Sequence, residues 1–190
     1  MLAALLLTLS ALLPAHAAPG PDRPVWLGAT VGGGMGIGTS SAPGGGAAGL
    51  IGVALGKVPG RSVGLEGRVG ESLYAGSLRT VGNVDFDVRY PAGSGPYGYV
   101  GFAHHHELGV DEALAHVGGA IAATYGGITH RTGFELGGGW DVAPIFPRSA
   151  FGSRIRPTLR LGVTVLPDGV SPPVYVTGAV GVLLGIGKER

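Results

Sequence analysis

Three consecutive histidines and a glutamate stand out in the stretch FAHHHELGV, which covers residues 102–110 of a chain with only six histidines. Neutral imidazole nitrogens bind Zn²⁺, Cu²⁺ and Ni²⁺, and histidine also transfers protons near neutral pH. A further histidine, His130, begins the sequence His-Arg-Thr. Successive side chains of an extended strand leave opposite faces. Which of these groups can act together therefore depends on the elements that carry them.

The N-terminal sequence MLAALLLTLSALLPAHA predicts a secretory signal peptide. An apolar run ends at Leu13 and is followed by Pro14 and by small residues at Ala15 and Ala17, which is the usual order of an apolar segment and a cleavage site. The run is too short to span a bilayer as a helix, which needs about 20 apolar residues. We therefore expect residues 1–17 to be a signal peptide and residues 18–190 to form one exported domain.

The composition limits the class of protein. Charged residues make up 13% of the chain, about half the usual share of roughly 25%, and the net charge is +1. This balance gives no electrostatic reason to expect a nucleic-acid partner. The chain has no cysteine, so disulfides cannot hold an exported fold together. It has 39 glycines, and its hydrophobicity is dispersed along the sequence, as in a membrane β-barrel.

Period-two alternation predicts strands along the mature chain. In TLRLGVTVL, Leu159, Leu161 and Val163 share one face, whereas Arg160 and Thr164 share the other. The same alternation recurs in seven further segments. The eight candidate strands cover residues 25–38, 47–57, 62–70, 83–90, 96–106, 128–141, 158–166 and 174–187. A soluble exported β-barrel or sandwich could show this alternation as well.

The lengths of the candidate strands and of their connections favour the membrane alternative. Several candidates reach the about 9–11 residues of a tilted membrane strand, more than the usual 5 or 6 in soluble proteins. The connections 58–61 and 91–95 are short, whereas 107–127 is long, and membrane barrels combine short periplasmic turns with long extracellular loops. We predict an all-β fold, an eight-stranded antiparallel up-and-down membrane barrel with its N-terminus on the periplasmic side.

In strand number, strand length and loop alternation, the chain resembles the small eight-stranded outer-membrane barrels of the OmpA/OmpX type. The resemblance lies in architecture and not in a specific motif. It implies a protein of the cell outer membrane that is inserted by the outer-membrane assembly machinery. It also implies a monomer whose partners are outer-membrane lipids, including lipopolysaccharide, with no cofactor.

Aromatic residues collect where this topology places the periplasmic interface, and they resemble the girdle that flanks a membrane-spanning band. The predicted girdle consists of Trp26, Tyr90, Tyr97, Tyr99 and Trp140. The strand parity of Trp26, however, directs its side chain inward.

The inward parity of the strands places four acids and four bases in the lumen. This predicted charge network is Glu66, Arg68, Asp85, Asp87, Arg89, Arg131, Glu135 and Arg160. Buried charges are costly unless they are paired, and eight strands leave an interior that side chains can fill. We therefore expect a plugged lumen. A narrow channel is the alternative, although an ion-selective pore would favour an excess of one charge.

Strand parity also separates the histidines. His104, His106 and His130 fall on the outer face near the extracellular rim, whereas His105 and Glu107 point inward, where we expect Glu107 to lie within reach of Arg131. The outer three are candidate ligands for a transition metal. Without a fixed set of supporting hydrogen bonds, we expect them to form a polar collar that binds zinc weakly or not at all.

An enzymatic alternative comes from the same region. His130 and Thr132 are similar to the His-x-Ser step of the lipid A deacylases, barrel enzymes that act on lipopolysaccharide, with Glu135 as the nearest acid. Threonine replaces serine, however, and Glu135 has inward parity. We therefore expect a non-enzymatic protein with a structural or surface-interaction role through its extracellular loops.

Overall fold

Eight antiparallel strands close into a barrel in the computed structural model, which describes residues 24–39, 41–57, 62–74, 79–109, 128–144 and 151–187. The strands are β1 (Val25–Ile37), β2 (Ala42–Lys57), β3 (Ser62–Tyr74), β4 (Arg79–Tyr90), β5 (Gly95–Gly109), β6 (Thr129–Asp141), β7 (Ile155–Val165) and β8 (Val174–Ile186). Each strand pairs with the next in sequence, and β8 pairs with β1. The predicted up-and-down topology is confirmed. The predicted signal peptide lies outside the described residues.

The barrel has two ends that differ in their connections. The terminal end is the one at which β1 begins and β8 ends, and the loop end is the opposite one. Several strands extend further toward the loop end than the sequence predicts: β2 begins at Ala42 instead of residue 47, and β4 begins at Arg79 instead of residue 83. In these extensions apolar and polar residues do not alternate, so periodicity could not detect them although the ladder pairing continues.

The polarity of the barrel is inverted relative to a soluble protein. Large apolar side chains are exposed on the outer face of every strand, among them Val31, Ile51, Val69, Phe86, Val100, Phe134, Leu161 and Val180. Charged side chains such as those of Glu66, Asp87 and Arg160 are buried in the lumen. In the part of the chain that the structure describes, no helix has the length and apolar character needed to cross a bilayer.

Three of the five aromatic residues of the predicted girdle lie inside the barrel. Trp26, Tyr97 and Tyr99 are 2%, 5% and 6% exposed, so the girdle prediction is wrong for them, because the parity of their strands directs them inward. Trp140 is 40% exposed and faces outward, as does the half-buried Tyr90.

Inward glycines make room for these aromatic rings. A Cβ at Gly64 would lie 2.6 Å from Cη2 of Trp26, and one at Gly137 would lie 2.5 Å from the hydroxyl oxygen of Tyr99. Both distances are far below van der Waals contact. Bulky rings can therefore fill an eight-stranded lumen only because nearby strands carry glycine at these positions.

Candidate functional site

One arginine bridges opposite walls of the barrel at the centre of the lumen. Arg160 on β7 donates a hydrogen bond from Nη1 to Oε1 of Glu66 on β3 at 2.9 Å, and another from Nη2 to Asp87 on β4. In a closed ring of eight strands, β7 and β3 face each other. The guanidinium group of Arg160 also lies over the ring of Tyr99, 3.5 Å from its centroid. This side chain therefore crosses the lumen and obstructs it.

A second arginine joins two more carboxylates to the same cluster. Arg68 donates to Oδ2 of Asp85 from Nη2 at 2.6 Å and from Nε at 3.1 Å, and it also pairs with Glu135. The hydroxyl of Tyr99 donates to Oε1 of Glu135 at 2.7 Å, and Asn83 donates to Asp85 at 2.6 Å. Three strands thereby supply donors to two buried carboxylates.

A third arginine extends the cluster toward the terminal end. Arg89 pairs with Asp141, and its Nη1 lies 3.6 Å from Oε2 of Glu66. Its guanidinium group stacks 3.6 Å from the ring centroid of Tyr97. The indole nitrogen of Trp26 donates to Oε2 of Glu66 at 3.0 Å. Glu66 is thus shared by two arginines and a tryptophan.

We call these linked side chains the central network. Its members are Trp26, Glu66, Arg68, Asp85, Asp87, Arg89, Tyr97, Tyr99, Glu135, Asp141 and Arg160. Seven of the eight residues expected in the lumen network lie in it. Asp141 also belongs to the network without having been predicted, although it shares the inward parity of Glu135 on β6.

The eighth expected residue, Arg131, belongs to a separate cluster at the loop end. Its Nη1 donates to Oε1 of Glu107 at 2.6 Å, and its Nε and Nη2 donate to the two carboxylate oxygens of Asp168 at 2.7 and 2.9 Å. The hydroxyl of Tyr175 donates to the same Oε1 of Glu107 at 2.7 Å. We call Glu107, Arg131, Asp168 and Tyr175 the loop-end clasp, because Asp168 lies in the β7–β8 connection.

The contact with Arg131 lowers the pKa of the Asp168 carboxyl group. The hydrogen bonds from Arg131 hold the pKa of Asp168 below its usual value, and the backbone N–H of Val170, which donates to Oδ1 at 3.0 Å, acts in the same direction. Partial burial opposes the shift. The carboxylate form of Asp168 is therefore the form that ties the connection to the barrel wall.

A cavity of about 90 Å³ occupies the lumen on the loop side of the central network. Glycine and threonine backbones of β1, β2 and β8 form much of its wall, and His105 and Asn83 contribute polar groups. The volume is large enough to hold water, since about 10–15 Å³ of such space is the minimum for one molecule. Arg68, Asp85 and Arg160 of the central network also line this cavity.

The outer face at the loop end carries a cluster of three imidazoles. His104 and His106 on β5 and His130 on β6 each offer a ring nitrogen, and these ligand atoms all lie within 4.8 Å of one another. His105 is separate from them, because it points into the lumen, where its ring lies 5.3 Å from that of Tyr175. We call His104, His106 and His130 the outer histidine cluster.

The residues of the enzymatic alternative do not converge. Thr132 is exposed on the outer face of β6, two residues from His130. Glu135 is 1% exposed and lies in the lumen, where it contacts Arg68 and Tyr99. The sheet thus stands between the candidate nucleophile and its nearest acid, so these three residues do not form a triad.

Comparisons with known proteins bear on the fold alone. No protein-family model and no curated protein matches the sequence. Among solved structures, the chain is similar to the N-terminal β-barrel domain of OprF from Pseudomonas aeruginosa, with a TM-score of 0.51 and 16% identity over 86% of this chain and 98% of that one. The chain therefore has the fold of the small eight-stranded outer-membrane barrels.

Two further structures were found with lower scores. Neisserial surface protein A has a TM-score of 0.47 and 12% identity over 85% of this chain and 96% of that one. The translocator domain of the autotransporter NalP from Neisseria meningitidis has a TM-score of 0.37 and 13% identity over 98% of this chain and 95% of that one.

Proposed function

We propose that this chain is a non-enzymatic, monomeric protein of the bacterial outer membrane, whose closed barrel presents its loop end to the cell exterior for a structural or surface-interaction role. The observation that carries the proposal is the inverted polarity: an apolar surface surrounds all eight strands, and paired charges fill the lumen. Such a surface matches the lipid-facing band of a membrane barrel. In water it would be a large exposed apolar patch, which monomeric soluble proteins avoid.

The central network supports a closed lumen instead of a channel. Arg160 and its partners span the barrel from β7 to β3, and their side chains are at most 6% exposed. An ion that moved through the lumen would have to displace at least two buried ion pairs. Breaking a buried pair costs about 3–5 kcal/mol, which opposes conduction by this state of the barrel.

The connections support a surface role at the loop end. β5 ends and β6 begins at that end, and residues 110–128 between them are the longest interval between successive described strands. The β7–β8 connection lies at the same end, where the loop-end clasp ties it to the wall. Long exterior loops on a rigid barrel are typical sites of recognition. The outer-membrane lipids, including lipopolysaccharide, would surround the apolar band, and the outer-membrane assembly machinery would insert it.

A charge placed in the apolar band tests the membrane assignment. Val100 is 58% exposed in the middle of β5, so Val100→Arg should destabilise the barrel in lipid vesicles by about 2–4 kcal/mol. The matched control is Val142→Arg. Val142 is 46% exposed and lies just beyond β6 at the terminal end, where the same change should cost about 0–1 kcal/mol. Urea unfolding in vesicles measures both values, and equal costs would contradict the proposal.

Solubility gives an independent test of the same proposal. The folded chain should require detergent or lipid to remain monomeric, and it should migrate differently on gels before and after boiling. A chain that is folded and monomeric in buffer alone would identify a soluble exported barrel instead.

A further inference from the structure

We propose that His104, His106 and His130 form a binding site for one divalent transition-metal ion on the outer face of the barrel. Their ligand nitrogens converge to within 4.8 Å of one another, and this geometry replaces the weakly binding collar that was expected from the sequence. The site is independent of the closed lumen, because it lies on the opposite side of the sheet from the central network.

The pairing of the strands, and not the choice of rotamers alone, brings the three imidazoles together. His106 lies directly opposite His130 in the β5–β6 ladder, and His104 is two residues earlier on the same face of β5. Directly opposite residues of antiparallel strands have Cβ atoms about 4.5–5.5 Å apart. The three Cβ atoms therefore form a compact triangle on a rigid sheet. Because the strands already hold the three side chains close together, metal binding costs little conformational entropy.

The rings are close enough for one ion to bind all three after small side-chain rotations. The ring centroid of His106 lies 4.6 Å from that of His104 and 4.7 Å from that of His130, and the centroids of His104 and His130 are 5.6 Å apart. Zn–N bonds of about 2.0–2.1 Å in a tetrahedron place the nitrogens roughly 3.4 Å apart. Shifts of about 1 Å in the ligand atoms complete that geometry.

The ligand set defines the class of ion. Three neutral imidazoles suit Zn²⁺, Cu²⁺ and Ni²⁺, whereas Mg²⁺ and Ca²⁺ prefer oxygen ligands. All three ligands come from one face of the sheet, which leaves the outward coordination position open to water. A site with three protein ligands and one open position differs from structural zinc sites, in which protein ligands fill all four positions.

The surroundings of the cluster provide access for the ion. Phe102 and Phe134, which pair directly across β5 and β6, are 44% and 65% exposed on the same face. The ring of Phe102 stacks on that of His104. Toward the loop end the outer face thus changes from phenylalanine to histidine, and His130 is exposed there. An ion can reach the cluster from this exposed side.

Titration calorimetry with zinc chloride tests the site in the full chain, refolded in detergent and produced without a histidine tag. We expect one ion per chain with a dissociation constant of about 10 μM or lower. His106→Ala and His130→Ala should each weaken binding at least tenfold. Magnesium and calcium chloride should give no binding heat under the same conditions.

Two variants serve as matched controls for the lost imidazole. His105→Ala removes the neighbouring histidine, whose ring points into the lumen, and His116→Ala removes one outside the described residues. Both should leave zinc affinity within about twofold of the unchanged chain. Heat-modifiable migration on gels establishes that every variant is folded before titration.

Spectroscopy supplies a readout that does not depend on the variants. Co²⁺ bound at the site should give the intense visible absorption of a four-coordinate ion with nitrogen ligands, and zinc should abolish it. Three results would overturn the proposal: no stoichiometric zinc binding below about 100 μM, equal binding by the folded His106→Ala and His130→Ala variants, or an equal loss in His105→Ala or His116→Ala. In these cases the cluster is only a polar collar.

Discussion

The central network and the loop-end clasp are both built from arginine and carboxylate side chains, but they differ in the elements that carry these side chains. Every member of the central network stands on a strand, and Arg160 links opposite walls of the barrel. The loop-end clasp draws Asp168 from a connection, and this side chain is 27% exposed. The ion pairs of the central network fill the lumen, whereas the Arg131–Asp168 pair fastens the β7–β8 connection to the barrel wall.

Burial sets the energetic difference between the two clusters. When one partner of a fully buried ion pair is removed, the other charge is left without water or a counterion. At the clasp, water can replace a lost partner of Asp168, and exposed pairs contribute only about 0.2–1 kcal/mol. The contact of Arg131 with Asp168 should therefore be several times less costly to break than the ion pairs of the central network, whereas the Arg131–Glu107 pair, with side chains 0% and 1% exposed, is as buried as they are.

The largest effect is expected from Arg160→Ala. This change removes the donor to Glu66 and Asp87 together, so it should lower the free energy of unfolding by about 3–5 kcal/mol. Urea unfolding in lipid vesicles, followed by tryptophan fluorescence, measures the loss. The control is Arg154→Ala in the exposed turn before β7, which should change stability by less than about 0.5 kcal/mol. A loss at Arg160 as small as that of the control would show that water reaches the network and that the two clusters do not differ.

A smaller effect is expected from Arg160→Lys, which keeps the positive charge. The two terminal nitrogens of Arg160 reach two carboxylates at once, whereas lysine offers a single nitrogen. Loss of one charged hydrogen bond should cost about 1.5–3 kcal/mol in the same unfolding experiment. If Arg160→Lys were as costly as Arg160→Ala, the fork geometry alone, and not the charge, would hold the network together.

The smallest effect at neutral pH is expected from Asp168→Asn in the loop-end clasp. Arg131 keeps its ion pair with Glu107 in this variant, so the loss should be below about 1 kcal/mol. Urea unfolding at pH 7 measures it. A loss of 3 kcal/mol or more would place the clasp in the same energetic class as the central network.

The pH dependence of this variant follows from the lowered pKa of Asp168. A carboxyl group with a lowered folded-state pKa contributes stability above its unfolded pKa of about 3.9, and this contribution disappears as the pH falls through the folded value. The difference between the unchanged chain and Asp168→Asn should therefore be present at pH 7 and shrink below about pH 4. Unfolding midpoints at a series of pH values measure it, and a difference that grows in acid would contradict the assignment.

The sequence revealed which face each charged residue occupies, and near the rim it also placed Glu107 within reach of Arg131, but it did not reveal the partners within the central network. Alternation on β7 placed Arg160 inside, because a strand in lipid needs apolar side chains on its outer face. The contact of Arg160 with Glu66, 94 residues away, depends on closure of the barrel and on the stagger of its strands, which no local pattern encodes. Parity therefore predicted which side chains fill the lumen, but not which of them contact each other across it.

The outer histidine cluster shows the same limit at a shorter range. Parity placed His104, His106 and His130 on one face, but their convergence needs the β5–β6 register. That register sets His106 opposite His130, and a shift by two residues would preserve every parity while it moved these rings apart. The long β5–β6 connection gives no turn chemistry from which the register could be deduced.

The closure of β1 against β8 makes the topology circular. Val25 pairs with Ile186, and Pro24 lies so near Gly187 that a Cβ there would be 2.8 Å from Cγ of the proline. A short linker could therefore join Gly187 to Pro24. New termini could then be introduced in the β6–β7 connection, at the same end of the barrel, to give a circularly permuted protein. Such a permuted protein would keep all eight ladders, since no strand is defined by being first or last.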